Sequence, residues 1–173
     1  MNVILLGFKA AGKSTVGRAL ARLSGRAFLD ADEVTEALYQ KRCGKALSCR
    51  EIYARHGAKA MRDLETEALR GLADMRDSVL ATGGGAVLAP ENIALLQALG
   101  LCVFLDTPHA VIRERLAPHA DSPLFRDTGL DELLRQRRPL YLAAAHKRLA
   151  VPAGADAETI ARSVIALIPV SPE

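Results

Sequence analysis

Apolar positions along the chain fall into two kinds of run. Short, mostly unbroken runs at Val3–Leu6, Ala27–Leu29, Ser78–Thr82, Leu101–Leu105 and Arg148–Val151 predict strands. Longer stretches repeat their apolar residues every three or four positions. These predict helices over Lys13–Ser24, Asp32–Cys43, Ser48–Ala54, Ala58–Met75, Pro90–Leu99, Pro108–Ala117, Leu130–His146 and Ala155–Ile168. The strand runs are continuously apolar rather than alternating, the pattern of a parallel sheet covered by helices on both faces. Strand–helix alternation over the whole chain predicts a doubly wound α/β fold. Pro90 and Pro108 sit where a helix takes its first turn. Gly25 and Gly100 follow helices, where a left-handed cap is expected. No repeat or low-complexity segment interrupts the order. The polar stretch Pro118–Gly129, "PHADSPLFRDTG", is expected to be a mobile loop, and the tail "VSPE" is expected to fray.

Composition narrows this picture. At 173 residues the chain is one domain with a real core and too short for two comfortable ones. Aromatics are only 4% and Trp is absent, so the core has to be built from Leu, Ala, Val and Ile. A net charge of +3 is too small to argue for nucleic-acid binding and suits a small anionic ligand. Cys43, Cys49 and Cys102 form no CxxC pair; Cys102, in an apolar run, reads as a small buried hydrophobe, the other two as plain thiols of a reducing compartment. No signal peptide is expected, since Met1 leads into a strand within two residues, and no run reaches the roughly 18–20 apolar residues of a membrane span. The expectation is a soluble cytoplasmic protein that binds neither membrane nor nucleic acid.

The most specific chemistry lies early. Gly7-Phe8-Lys9-Ala10-Ala11-Gly12-Lys13-Ser14 fits GxxxxGK[ST] in full, followed by Thr15, with an apolar strand before it and a helix after it. Small residues let successive backbone N–H groups converge on a phosphate, and the helix N-terminus adds partial positive charge. Gly7, Ala10, Ala11, Gly12 and Thr15 supply the cradle. Lys13 reaches the β- and γ-phosphates, and Ser14 offers a hydroxyl to Mg²⁺. Lys9 is read as facing solvent. The loop implies a nucleoside triphosphate but leaves the phosphoryl acceptor open.

Three features bear on the acceptor. Asp30 and Asp32 close the second strand, and two apart on extended chain they point the same way. One can steer hydrated Mg²⁺ and the other hold or deprotonate a hydroxyl, while a helix cap remains the alternative for either. The run "ATGGGAV" ends a strand in Gly83, Gly84 and Gly85, costly to order unless a ligand approaches the backbone closely. No acid closes that strand, which leaves Asp30 for the metal. Arg62 and Glu65 share a helix face, and Arg137 lies in "RQRRPLY"; arginine is the natural fork for a carboxylate.

In this combination and order, running through nearly the whole chain, the sequence resembles the shikimate kinases, small P-loop kinases of aromatic amino acid biosynthesis. The carrying motifs are GxxxxGKST, D-x-D at Asp30 and Asp32, Arg62 with Glu65, the Gly83–Gly85 triplet, and RxPLY from Arg137 to Tyr141. The resemblance implies a five-stranded parallel sheet of the P-loop NTPase type, a substrate-binding helical segment at about residues 33–61, and a lid at about 116–129. It implies transfer of the ATP γ-phosphate to the 3-hydroxyl of shikimate, with ATP as co-substrate and Mg²⁺ as cofactor. Asp32 would bind the hydroxyl, and Arg62 and Arg137 would clamp the carboxylate. Gly84 and Gly85 would meet the ring, Glu65 would hold Arg62, and Asp30 would contact Mg²⁺ through water. Arg115 resembles the arginine that stacks on adenine.

The lid departs from the family pattern. Ser122, in "DSPLF", stands where an arginine usually precedes Pro-Leu, and Arg126 is the candidate to take over its contact with the phosphates. A positioned arginine matters by orders of magnitude in related phosphoryl transfer. Two other readings therefore stay open at this level: a P-loop kinase for another small hydroxy acid, or a catalytically impaired binding relative. A monomer is expected.

Overall fold

The computed structural model describes residues 1–119 and 129–169. Ser122, Arg126 and the tail from Val170 onward lie outside these residues. Strands β1 (Asn2–Leu6), β2 (Ala27–Asp30), β3 (Ser78–Ala81), β4 (Gly100–Asp106) and β5 (Lys147–Ala150) form one sheet in the order β2-β3-β1-β4-β5. Every pairing is parallel, with Ile4 opposite Leu80 on one side and Cys102 on the other. The helices are α1 (Lys13–Ser24), α2 (Ala31–Cys43), α3 (Cys49–Arg70), α4 (Pro90–Leu99), α5 (His109–Leu116), α6 (Leu130–Ala144) and α7 (Ala157–Ile165).

Period-two alternation sends neighbouring strand residues into different cores. Val3, Leu5, Val79, Val103 and Leu105 pack against Val16 and Leu20 of α1 and Ile160 and Val164 of α7. Ile4, Leu6, Leu80, Cys102 and Phe104 face the other way, against Leu69, Leu96, Ile112, Leu134 and Tyr141. A third, small cluster of Tyr39, Ile52, Met61 and Leu64 ties α2 to α3, apart from both.

The predicted elements are all present, with informative shifts. The two helices predicted over Ser48–Ala54 and Ala58–Met75 meet at Gly57, whose φ of 80° and ψ of 176° break the α3 ladder. Ser48 caps α3 through a capping box with Glu51 rather than joining it, and the helix ends at Arg70. Gly25 is a left-handed cap, as expected, at φ 65°. Gly100 is not: it is extended (φ 168°) and opens β4, and a Cβ there would overlap the Asn2 carbonyl. Pro90 takes the first turn of α4, whereas Pro108 is the N-cap of α5 and precedes the helix. Continuous burial holds for β1 and β3; the edge strand β5, with Lys147 and Arg148, is largely exposed. Cys102 is fully buried, and all three cysteines are free thiols. Among the described residues no helix is long and apolar enough to cross a membrane.

Candidate active site

The carboxyl ends of the parallel strands gather the candidate residues. From β1 the chain enters the glycine-rich loop, with Gly7 at φ 154°, Ala10 at φ 64° and Gly12 at φ 93° capping α1. Ala10 holds a left-handed conformation without being glycine, a local strain of the kind found at functional turns. Lys13 Nζ donates to the Gly7 and Phe8 carbonyls at 2.9 and 2.8 Å. Its burial pushes the ammonium down to about 8, against the pull of the Asp32 and Asp30 carboxylates. Thr107, just past β4, donates its hydroxyl to the Ala11 carbonyl, and Arg115 Nη1 donates to that of Ala10 at 3.0 Å, so β4 and α5 both brace the loop. Thr15 and Lys9 are exposed.

Ser14 Oγ donates to Asp30 Oδ2 at 2.6 Å, which joins the two predicted metal contacts. Among the described residues no group of three or more His, Cys, Asp or Glu side chains converges. A single hydroxyl–carboxylate pair of hard oxygens fits Mg²⁺, which keeps most of its waters and takes few protein ligands beside substrate phosphates. The two aspartates do not share an extended segment, as the sequence suggested. Asp30 is the N-cap of α2, its Oδ1 accepting from Asp32 N at 3.0 Å, and Asp32 sits in the first helical turn. The cap and the bond to Ser14 thus use the two oxygens of one carboxylate. Asp32 instead turns toward the glycine triplet: a Cβ on Gly83 would lie 2.6 Å from its Oδ1. Desolvation raises the Asp32 carboxyl above its ordinary range, the neighbouring Asp30 charge adds to this, and Lys13 opposes it.

The rest of the triplet is used as tightly. A Cβ on Gly84 would lie 2.9 Å from Lys9 N, and one on Gly85 would overlap the Arg62 guanidinium. Arg62 pairs with Glu65 three residues on. Glu65 is buried, and burial raises its carboxyl to about 6 although Arg62 pulls it down. Arg137, nine-tenths buried on α6, lays its guanidinium 5.6 Å from the centre of the Phe8 ring. Burial lowers its affinity for the proton, and the Arg62 charge adds to this. Tyr141, one turn on, donates its hydroxyl to the Gly84 carbonyl.

The predicted residues of the loop, the aspartates, the triplet and both clamp arginines are therefore one cluster. Sequence reasoning missed Phe8, whose ring floors Arg137, and Thr107, which holds the loop from β4. It also missed Asp106, which accepts from Arg138 and Arg148 at 2.7 Å each. Only the position of Asp106 and Thr107 at a strand's carboxyl end signalled them.

Comparison with known proteins agrees with this arrangement. The family model described as shikimate kinase matches residues 9–169. A shikimate kinase of Nitratidesulfovibrio vulgaris is 40% identical over 174 residues, covering 96% of this chain and 95% of that protein. One of Geobacter sulfurreducens is 45% identical over 133 residues, 77% of this chain and 70% of its own. Among solved structures, Acinetobacter baumannii shikimate kinase in complex with shikimate superposes with a TM-score of 0.82 at 34% identity, covering 96% and 91% of the two chains. With a phosphate loop, a paired-arginine site and relatives matched nearly end to end, the chain belongs to the shikimate kinase family of ATP-dependent kinases.

Proposed function

We propose that this protein transfers the γ-phosphoryl group of ATP to the 3-hydroxyl of shikimate, with the cluster around Gly83–Gly85 as its acceptor site. One observation carries the assignment: Asp32 lies against Gly83 while Arg62 lies against Gly85. Two residues of chain span at most about 7 Å. A hydroxyl-binding carboxylate and a carboxylate-binding guanidinium thus face each other across the width of a small ring.

The loop amides and Lys13 hold the β- and γ-phosphates, Thr15 and Gly12 belonging to the same cradle, and Arg115 covers the nucleotide side. Asp32 orients the acceptor hydroxyl and takes its proton as the new O–P bond forms and the bond to the β-phosphate oxygen breaks. Arg62 and Arg137 bind the substrate carboxylate, Glu65 keeps Arg62 aimed, and Gly84 and Gly85 present backbone to the ring. Ser14 and Asp30 hold Mg²⁺, which when bound offsets negative charge on the phosphates. Residues 33–61 form the substrate-binding segment and 116–129 the lid, where Arg126 supplies the phosphate contact missing at Ser122. We read the enzyme as a cytoplasmic monomer whose three cysteines are free thiols.

The test is ADP release by the purified protein with Mg-ATP, with and without shikimate, and the mass of the product. Shikimate-dependent turnover yielding shikimate 3-phosphate is expected. Turnover with shikimate absent, or none with it present, would overturn the assignment. Arg126→Ala should lower kcat with little change in either KM; wild-type turnover would remove Arg126 from the mechanism.

A further inference from the structure

Asn92 is completely buried in the first turn of α4. It meets Thr66, which stands one turn beyond Arg62 on α3. Thr66 Oγ1 lies 2.9 Å from the Arg62 carbonyl oxygen and 2.7 Å from Asn92 Oδ1. Both are acceptors, and a hydroxyl has one proton to give. Asn92 Nδ2, meanwhile, has no partner among the described residues. Exchanging the amide oxygen and nitrogen, which have nearly the same shape, gives the Thr66 hydroxyl one donor and one acceptor. Nδ2 then donates to Thr66 Oγ1, which donates in turn to the Arg62 carbonyl, so the Thr66 end of the amide is the one that is bonded.

The connection between these contacts gives the relay a purpose. From Gly85, against the Arg62 guanidinium, the chain passes through the 3-10 turn Ala86–Leu88 and reaches Asn92 in α4. This stretch touches α3 at both ends: Gly85 on Arg62, and Asn92 on Thr66 one turn away. We propose that Asn92 is a positioning residue for the acceptor site, acting through Thr66 to fix the turn of α3 that carries Arg62 and Glu65 against the glycine triplet. The inference rests on the reading of Arg62 as a carboxylate clamp.

Asn92→Leu keeps the branched outline of the side chain, removes the amide and leaves Thr66 free to donate to the Arg62 carbonyl. It should raise the shikimate KM about tenfold, since small misplacement of a binding group is costly, with kcat and the ATP KM within about twofold. Thr66→Val should do the same, the double variant should be no worse than either single, and Thr66→Ser should keep wild-type kinetics. Unchanged shikimate KM in either Asn92→Leu or Thr66→Val would overturn the inference, as would a parallel rise of both KM values, which marks general loosening. Arg62→Met separates the two levels. If it leaves the shikimate KM unchanged, the clamp reading fails; if it raises that KM while Asn92→Leu does not, only the role of Asn92 fails.

Discussion

Among single residues, Asp32 and Lys13 show how position sets chemistry. Asp32 is the proposed proton acceptor, and desolvation with the Asp30 charge beside it raises its carboxyl. Asp32→Asn should lower kcat by about a hundredfold or more, the scale of a lost general base, with ATP affinity retained; turnover within a few-fold of wild type would deny it that role. Lys13 shifts the opposite way, down to about 8 from 10.5. Between those values the unfolded chain holds a proton that the folded one has released, so stability contributed at Lys13 rises with pH across that window. Denaturant titrations of the ligand-free protein should show wild type gaining on Lys13→Met, from pH 8 to 10.5, by on the order of 3 kcal/mol. A constant difference would mean that Lys13 is not held in a desolvating site. At this scale the sequence was legible where a residue type has few uses: Lys13 after glycine, or an arginine three before a glutamate. Phe8 was not, because a phenylalanine after a strand looks like any core residue until Arg137 is seen above it.

At the level of elements, the glycine triplet shows why spacing along the chain does not assign roles by itself. Its three glycines are close-packed by three different neighbours: the Asp32 carboxylate, the Lys9 backbone and the Arg62 guanidinium. Gly85→Ala displaces only a flexible side chain and should raise the shikimate KM about tenfold with little effect on ATP. Gly84→Ala presses on the backbone of the phosphate loop, which cannot swing aside, and should raise the ATP KM as well. Identical kinetic profiles for the two variants would refute this division. Helices and central strands were readable because their apolar periodicity comes from burial that the structure delivers. The failures lie where a long-range contact overrode a local signal. Gly100 follows a helix as a cap glycine would, yet it is needed because the Asn2 backbone passes too close for a side chain. The two aspartates read as one extended pair although the predicted helix begins at Asp32; of the alternatives left open, the cap is the one that the structure shows, with Asp30 as N-cap.

For the molecule as a whole, the distribution of cores sets what can move. Two large clusters hold the sheet, the phosphate loop and α1, α4, α6 and α7. The segment carrying α2 and the first part of α3 rests instead on Tyr39, Ile52, Met61 and Leu64, with a break at Gly57. A small cluster with few buried contacts opens more readily than a central sheet. Amides of residues 31–60 should therefore exchange with solvent faster than those of β1 and β3 in the free protein. In the proposed acceptor site shikimate bridges this segment's Asp32 to Arg62 and Arg137, so bound substrate should oppose its opening. At a shikimate concentration one hundred times Kd, linkage gives about 2.7 kcal/mol, or roughly a hundredfold slower exchange in those amides. A nucleotide analogue bound alone, lodged on the loop and the sheet, should slow them much less. Hydrogen exchange read by mass spectrometry distinguishes the cases. Protection of residues 31–60 equal to that of β1, or exchange there indifferent to shikimate, would mean that the segment is an integral part of the sheet's core and not a separately opening substrate arm.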